Sequence, residues 1–385
     1  MTTDSKYVVA VPARSVCDDN ARALHNVNQL RFLAMGTRKG TQGVPLSETR
    51  LNPAVGLAAY IAARLLSESA AESFRFRLHP WFDRWVKGQL REGDHLISSY
   101  GYANASFKWV RAHGGKTFLD GGNSHPENFW SILKEEHERW GCNAPPIAPH
   151  HYHRSKAMMA DVDYVLSPSS FVTRSFLERG FRPEQILRNV YPLDLSSFSP
   201  PTKPRPKDRP LTLISTGSLS FRKGTPYLLE AFRLIRQHEP GARLLLTSIA
   251  ADHITPILKR NRDLPIDFAP GLPHAVLANR LRSADIFALP SLEDGFGRTV
   301  TEALACGLPV IVTPNTGASD LVRPGENGEI VPIRNSARIA DAVLHWWEKI
   351  RARQSETVKF DPTRLSFARF EQDFTAQLRA INLLH

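Results

Sequence analysis

The chain has 385 residues, of which 42% are hydrophobic and 23% are charged, a balance typical of a folded globular protein rather than a disordered chain. Its formal net charge of +11 is spread thinly apart from the short segment 201–210, and no motif that recognises DNA or RNA is present, which argues against nucleic-acid binding. The three cysteines (Cys17, Cys142 and Cys306) are odd in number and far apart, which excludes a disulfide framework and a zinc site.

The sequence near the N-terminus predicts a cytoplasmic protein. No secretory signal is recognisable, and the uncharged stretch 51–63 is shorter than the roughly 20 apolar residues of a membrane-spanning helix. The lack of a disulfide framework is consistent with a reducing compartment. The net positive charge leaves open a peripheral contact with the inner face of a membrane.

Apolar runs and helical periodicities alternate in the first half of the chain, which indicates an α/β domain. We predict strands at 7–11, 94–98, 116–119 and 163–167, and helices at 57–67, 104–112, 129–140 and 170–179. Residues 17–50 have no clean period and are assigned no element.

A proline-rich segment near the middle of the chain predicts a linker. Residues 200–210 contain five prolines, and each proline removes a backbone donor and fixes φ, so the segment cannot join a helix or a central strand. We therefore predict an N-terminal domain at 1–200, a linker at 201–210 and a C-terminal domain at 211–362.

The second half alternates strands and helices more regularly. We predict strands at 211–215, 242–248, 266–268, 286–290 and 309–313, and helices at 226–238, 274–283 and 298–306. Short apolar strands separated by helices of about ten residues indicate βαβ units and a parallel sheet covered on both faces.

Two glycine-containing turns follow strands of this second sheet. The first, Gly217–Gly224, carries the adjacent cations Arg222 and Lys223, which suit a diphosphate because each can contact a different oxygen. The second places Asp294 before a helix whose first turns carry Glu302, a carboxylate able to accept hydrogen bonds from two ribose hydroxyls. A surface turn with a capping aspartate is the structural alternative.

The order of these motifs resembles the family 4 retaining glycosyltransferases of the GT-B fold. The segments GSLSFRKG, FAPGLPHAVLANRLRSADIFALPS, LEDGFGRTVTEALACGLPVIVTPNTGASDLV and PGENGEIV carry the resemblance, strongly over 211–335 and more weakly over the first half. It implies two Rossmann-like doubly wound domains facing an inter-domain cleft. It also implies that the terminal segment 363–385 crosses back to the first domain.

The resemblance also implies roles for individual residues. Lys223, helped by Arg222, would neutralise the donor diphosphate, Glu302 would hold the ribose, and Asp294 would contact the transferred sugar. His125, in a polar loop after a strand, resembles the family's active-site histidine, although helix capping is the simpler explanation of its position. The remaining positions implied to contact the donor are Gly295, Phe296, Gly297, Arg298 and Thr299 at the sugar and phosphates, and Leu272 at the base.

Two positions depart from the family pattern. The first acid of the Glu-x7-Glu motif is Asp294 here, preceded by Glu293, so the sugar contact could pass to either residue. The usual arginine of the phosphate loop is Ser218, which gives Arg222 more weight.

No metal site is predicted. Asp161-Val162-Asp163 resembles a cation-binding Asp-x-Asp, but it precedes an apolar strand, where such residues are structural in the GT-B pattern. Histidines 150, 151 and 153 are expected on an irregular loop, from which adjacent histidines rarely face one point.

The resemblance therefore predicts a metal-independent, retaining hexosyltransferase without a bound cofactor, which uses a UDP- or GDP-sugar as donor. Its acceptor would be a glycan, a lipid-linked molecule or a small molecule. Two alternatives remain open: a GT-B sugar-nucleotide epimerase and a non-catalytic nucleotide-sugar-binding protein.

Overall fold

The computed structural model describes residues 5–13, 15–37, 43–201, 209–352 and 358–384, which fall into two compact α/β units. The first unit comprises Met1–Ser131, Pro145–Pro192 and Phe367–His385, and the second comprises Ile132–Ala144 and Leu193–Ser366. Most of the predicted linker lies outside the described residues.

The described part of the first unit contains a seven-stranded parallel sheet in the order β3-β2-β1-β4-β5-β6-β7. Its strands are β1 (Tyr7–Ala10), β2 (Leu30–Met35), β3 (Thr49–Leu51), β4 (His95–Ser98), β5 (Thr117–Asp120), β6 (Tyr164–Ser167) and β7 (Ile186–Arg188). The strand order reverses between β1 and β4, as in doubly wound dinucleotide-binding domains.

Seven α-helices begin before residue 192 in the described part of the first unit. They are α1 (Cys17–Asn26), α2 (Pro53–Leu65), α3 (Glu68–Lys87), α4 (Asn104–Ala112), α5 (Pro126–Arg139), α6 (Pro149–Met158) and α7 (Ser170–Leu177). The C-terminal half of α5 belongs to the second unit. None of the described helices combines the length and the apolar character that crossing a bilayer requires.

The described part of the second unit repeats the same architecture with a six-stranded parallel sheet, in the order β10-β9-β8-β11-β12-β13. Its strands are β8 (Thr212–Ser215), β9 (Arg243–Leu246), β10 (Ile266–Phe268), β11 (Ile286–Leu289), β12 (Val310–Val312) and β13 (Gly328–Ile330). Its further helices are α8 (Thr225–His238), α9 (Thr255–Arg260), α10 (His274–Ser283), α11 (Arg298–Ala305) and α12 (Ser336–Arg351). The order reverses between β8 and β11.

The last helix, α13 (Phe367–Ala380), groups with the first unit. Phe370, Phe374 and Leu378 recur at helical spacing and are buried in the apolar cluster that includes Leu24 of α1. Removing these aromatic side chains from water stabilises the contact between the two helices.

The structure corrects three sequence-based expectations. The predicted helix at 57–67 begins at Pro53, because the Asn52 side chain caps it by accepting the N–H of Val55 at 3.3 Å. Residues 17–50, left unassigned, contain α1, β2 and most of β3. The histidine-rich segment lies on helix α6 and not on an irregular loop.

Candidate functional site

The loop from β8 to α8 lies at the point where the strand order of the second sheet reverses, and the segment that follows the neighbouring strand β9 fixes its backbone. The N–H of Gly217 donates to Ser248 Oγ at 2.8 Å, and the N–H of Leu219 donates to the carbonyl of Ile249 at 2.9 Å. The loop ends at Gly224, which has a φ of +69° and precedes α8 directly. These bonds bring Arg222 and Lys223 to the carboxyl edge of the sheet.

The loop from β11 to α11 lies on the other side of the same reversal. Residues 290–297 are all buried. The N–H of Asp294 donates to the carbonyl of Asn315 at 2.9 Å, and the carbonyl of Asp294 accepts the N–H of Gly317 at 2.8 Å. Asn315 also donates its side-chain amide to the carbonyl of Leu292. The loop is therefore fixed by the segment after β12.

The two loops meet through two ion pairs. The Lys223 ammonium contacts Asp294 Oδ2, and Arg222 Nη1 lies 3.1 Å from Glu293 Oε2 and 3.3 Å from the Glu293 carbonyl. The Arg222 carbonyl accepts the N–H of Leu292 at 2.9 Å. The structure therefore brings the predicted residues Arg222, Lys223 and Asp294 together, and it adds Glu293, which the sequence offered only as a substitute for Asp294.

Burial and pairing shift the pKa values of this cluster. Burial, together with the charge of Arg222, lowers the pKa of Lys223, while Asp294 opposes that shift. Burial disfavours the Asp294 carboxylate, but Lys223 and Arg222 outweigh burial and lower the pKa of Asp294 below its ordinary value. At neutral pH the arrangement therefore favours an ionised Asp294 that holds the ammonium of Lys223.

Glu302 lies on the second turn of α11 with 9% of its surface exposed. Its Oε2 atom is buried and has no hydrogen-bond partner among the described residues. Burial raises the pKa of Glu302 to about 7, with the charge of Arg298 opposing the shift. A buried carboxyl oxygen without a donor carries a desolvation cost that a ligand hydroxyl would relieve.

We expect Glu302→Gln to show that this carboxyl group is costly to ionise. The unfolded chain releases the Glu302 proton near pH 4.5, whereas the folded protein keeps it until about pH 7. The free energy of unfolding of the natural protein should therefore fall relative to that of the variant as pH rises through this window, by up to about 3 kcal/mol. Urea denaturation at a series of pH values measures the difference.

Glu348→Gln, which removes an exposed acid of α12, is the matched control. A stability difference between the Glu302→Gln variant and the natural protein that stays constant across the window would contradict the environment described for Glu302.

The N-terminus of α11 follows directly on Gly297, which has a φ of +79° and no side chain to cap the helix. A Cβ at Gly297 would lie 2.9 Å from Thr316 Cγ2 and 3.3 Å from Asp294 Oδ2. Arg298 is exposed and Thr299 is half-buried at the first helical positions. The positive end of the helix dipole at this terminus favours an anion.

The remaining predicted donor contacts occupy the same loops or a neighbouring one. Gly295 and Phe296 are buried between Asp294 and Gly297. Leu272 is half-buried in the connection between β10 and α10, two strands from β8. Its contact with a base stays a prediction.

His125 belongs to the first unit and is buried in a packed setting. Its Nδ1 accepts the N–H of Glu127 at 3.3 Å at the start of α5, and its ring lies 5.2 Å from the ring of Phe176. Burial lowers the pKa of His125 to about 4, so the ring is neutral at pH 7 and carries its proton on Nε2. This geometry suits helix capping, and a catalytic role for His125 stays a prediction.

The aspartates of the Asp-x-Asp sequence make structural contacts. Asp163 Oδ2 accepts both the N–H and the hydroxyl of Thr117 at 3.0 Å, while Arg111 pairs with Asp161 and Asp163 at 3.6 Å and 3.4 Å. Among the described residues, no group of three or more potential ligands is arranged to hold a metal ion.

A buried cluster that the sequence analysis missed lies at the carboxyl edge of the first sheet. Asp120, the last residue of β5, accepts hydrogen bonds from Cys17 Sγ at 2.9 Å and from the Tyr191 hydroxyl at 2.7 Å. Burial raises the pKa of Asp120 to about 6 against the effect of these bonds. The sequence signal for this cluster was Asp120, an acidic residue directly after a predicted strand. Its partners could not be predicted because they are 103 and 71 residues away in the chain.

Comparison with known proteins relates this arrangement to sugar transfer. Residues 210–349, which contain both loops and Glu302, match the family model described as Glycosyl transferases group 1. A D-inositol 3-phosphate glycosyltransferase of Arthrobacter sp. is 29% identical over 164 residues, 39% of this chain and 39% of that protein. A GDP-mannose-dependent alpha-(1-6)-phosphatidylinositol monomannoside mannosyltransferase of Mycolicibacterium smegmatis is 28% identical over 203 residues, 48% of this chain and 52% of that protein. The chain thus spans about half the length, or less, of these curated relatives.

Similarity to solved structures extends over nearly the whole chain. Sucrose-phosphate synthase from Thermosynechococcus elongatus superposes with a TM-score of 0.66 at 18% identity, covering 98% of this chain and 99% of that one. The likeness, together with the two sheets described above, confirms the predicted fold class, two Rossmann-like α/β domains of the GT-B type. The family 4 subclass is a finer assignment than these matches support.

Proposed function

We propose that the protein is a retaining glycosyltransferase that moves a sugar from a nucleotide-diphosphate sugar to an acceptor hydroxyl. The observation that carries the proposal is the convergence of three groups at the reversal of the second sheet: the cation pair Arg222 and Lys223, the N-terminus of α11, and Glu302 with its unpartnered oxygen. Ligands of doubly wound folds bind at this place in the sheet. The family match over the same residues supports the same activity.

The two cations suit a leaving diphosphate because their counter-ions hold both of them at the same edge of the sheet. A lysine ammonium has three N–H bonds, of which the contact with Asp294 needs one. Arg222 is held beside Lys223 by its contacts with the Glu293 side chain and carbonyl. We therefore assign Asp294 and Glu293 as positioning residues for the cations, and a contact of Asp294 with the transferred sugar stays part of the proposal.

Sugar transfer at this site would need little covalent chemistry from the protein. The bond between the anomeric carbon and the diphosphate oxygen breaks, and its electron pair goes to that oxygen. Lys223, Arg222 and the terminus of α11 stabilise the developing charge. The acceptor oxygen forms the new bond on the same face, and its proton passes to the leaving phosphate oxygen, so the configuration is retained.

Glu302 suits the ribose of the donor. Its Oε2 lacks a partner within the described protein, and a carboxylate can accept hydrogen bonds from two adjacent hydroxyls. The proposal includes both UDP- and GDP-sugars as donors. The relative from Mycolicibacterium is named for GDP-mannose. The relatives named above act on inositol phosphate or on phosphatidylinositol mannoside, which keeps both small-molecule and lipid-linked acceptors within the proposal.

The test is a donor screen by thermal shift followed by transfer assays in EDTA. We expect one of the UDP-, GDP- or ADP-sugars to raise the melting temperature, because a ligand that binds only the folded state stabilises it. Glu302→Ala should weaken that nucleotide about 10- to 150-fold, as expected for loss of a hydrogen bond to a charged group. Glu348→Ala is the matched control.

Each outcome of this screen selects one function. An isomeric nucleotide sugar formed without acceptor would identify an epimerase, and binding without turnover across an acceptor panel would identify a non-catalytic binding protein. Activity lost in EDTA and restored by magnesium or manganese would contradict the metal-independent mechanism. If no nucleotide sugar binds, the proposed function is wrong.

A further inference from the structure

The helices α2 and α3 of the first unit expose an unusual number of large apolar side chains. Of the thirteen large hydrophobic residues that are exposed among the described residues, seven lie between residues 57 and 81. They are Leu57, Tyr60, Ile61, Leu65, Leu66, Phe74 and Trp81, and we call them the apolar face. Exposed apolar residues scattered singly are ordinary, whereas a cluster of this kind marks a contact surface.

Helical spacing arranges these residues as stripes. On α2, Tyr60, Ile61 and Leu65 lie three, four and eight residues after Leu57. This helical spacing places all four side chains on one side of the helix. The opposite side buries the small residues Val55, Gly56 and Ala62. The usual amphipathic pattern is therefore reversed, with the larger apolar residues facing outward.

Cations are interleaved with the apolar residues on both helices. Arg64 lies within the stripe of α2, with its guanidinium 4.8 Å from the centre of the Tyr60 ring. On α3, the exposed residues Phe74, Arg77, Trp81 and Arg84 alternate along one side. By the same helical spacing, Glu72 and Asp83 fall on the opposite side of α3.

The basic character continues beyond Trp81 into a hollow of about 410 Å³. Arg84, Lys87, Lys108 and Arg154 line it together with one acid, Asp83. Asp83 is buried, accepts the N–H groups of Ala105 and Ser106 at 2.8 Å and 2.9 Å, and pairs with Arg154 Nη2 at 3.4 Å, so its charge is balanced within the protein. The hollow thus offers Arg84, Lys87 and Lys108 to a phosphate group.

We propose that the apolar face and the cations within it form a docking surface for an anionic phospholipid bilayer. The chemistry matches the boundary between headgroups and acyl chains: tryptophan and tyrosine favour that depth, aliphatic side chains enter the acyl region, and arginines contact lipid phosphates. Long arginine side chains lay their methylene stems along apolar surface while their charge stays with the headgroups.

The positive charge within the apolar face favours an anionic bilayer over a second copy of the chain as the partner of this surface. A two-fold symmetric contact would press the same face of each copy together and bring Arg64, Arg77 and Arg84 of one copy toward those of the other. Like charges opposed across an interface disfavour association. An anionic bilayer meets the same three cations with opposite charge.

Sedimentation with vesicles tests the surface independently of sugar transfer, so its failure would leave the proposed function standing. We expect the protein to bind vesicles of phosphatidylglycerol and phosphatidylcholine in equal parts, and to bind pure phosphatidylcholine more weakly. Replacing Leu57 and Leu65 by serine together with Trp81→Ala should lower vesicle affinity at least about tenfold, because the apolar residues with the highest exposure are removed. The control is Leu177→Ser, which removes an exposed leucine of α7.

A second variant separates charge from apolar insertion. Arg64→Gln, Arg77→Gln and Arg84→Gln together should remove the preference for phosphatidylglycerol, at about fivefold in affinity per cation near the surface. The nucleotide-induced thermal shift and circular dichroism show that each variant is folded. The proposal is overturned if the natural protein does not bind anionic vesicles, or if the apolar variant binds them as well as the natural protein. Self-association that the apolar variant abolishes, without vesicle binding, would assign the face to a second copy.

Discussion

Gly224→Ala is expected to destabilise the second unit and to abolish nucleotide binding. Gly224 has a φ of +69°, and a Cβ on it would lie 2.0 Å from the carbonyl oxygen of Pro290. An alanine there incurs the cost of the left-handed conformation, about 1–2 kcal/mol, and a further cost of about 1–3 kcal/mol for the displaced backbone. Because Pro290 begins the loop that carries Glu293 and Asp294, the displacement would separate these acids from their cations.

Gly325→Ala isolates the steric part of this effect. Gly325 lies in the same unit with a φ of +78°, and a Cβ on it would have no atom within 4 Å. It therefore incurs only the conformational cost and should leave nucleotide affinity unchanged. Urea denaturation and nucleotide titration of both variants measure the difference. Equal loss of stability in the two variants would show that the loops adapt, and that Gly224 is not required for their close approach.

Strands β11 and β12 of the second sheet could be predicted because each is a short, fully buried apolar run between turn residues. The strand predicted at 286–290 is Ile286–Leu289, and the helix predicted at 274–283 is found with the same bounds. Parallel strands covered on both faces give continuous apolar runs, which the sequence displays directly. The loops that follow β8 and β11 could be placed at one edge of the sheet for the same reason.

Segments with polar residues in the core could not be predicted by periodicity. Helix α1 buries Asp18 and Asn20, and Asn20 Oδ1 accepts the side-chain amide of Asn189 at 3.1 Å. Burying polar groups with distant partners removes the hydrophobic period on which a prediction depends. Helix α3 was missed for the opposite reason, because Phe74 and Trp81 are exposed and Pro80, a residue type that disfavours a helix interior, lies inside it.

Contacts between residues that are far apart in the chain could not be predicted from the sequence either. It placed Lys223 and Asp294 near the same ligand but did not predict that they contact each other, since they are 71 residues apart. Their contact depends on the register by which β8 and β11 pair, Leu213 with Ile286 and Ile214 with Phe287. The contact gives Lys223 two candidate roles: it binds the diphosphate of the ligand, or it only neutralises Asp294.

Variants of the Lys223–Asp294 pair distinguish these two roles, with the largest effect that we expect at the site. Lys223→Met leaves the Asp294 carboxylate buried without its counter-ion and should cost about 3–5 kcal/mol of unfolding free energy. Adding Asp294→Leu to that variant replaces the pair by apolar side chains of similar size and should recover most of this stability. Arg233→Met, which breaks an exposed ion pair with Asp263, is the control and should change stability little.

Nucleotide affinity then separates the two roles of Lys223. If its ammonium contacts the diphosphate, the stable double variant should still bind the nucleotide at least about tenfold more weakly, because a charge-assisted hydrogen bond to the ligand contributes about 1.5–3 kcal/mol. If Lys223 serves only to neutralise Asp294, recovery of stability should bring recovery of affinity, since the loop that Lys223 held would again be fixed by its bonds to Asn315 and Gly317. Full affinity in the double variant would therefore remove Lys223 from the donor site and leave Arg222 and the N-terminus of α11 as the groups that face the diphosphate.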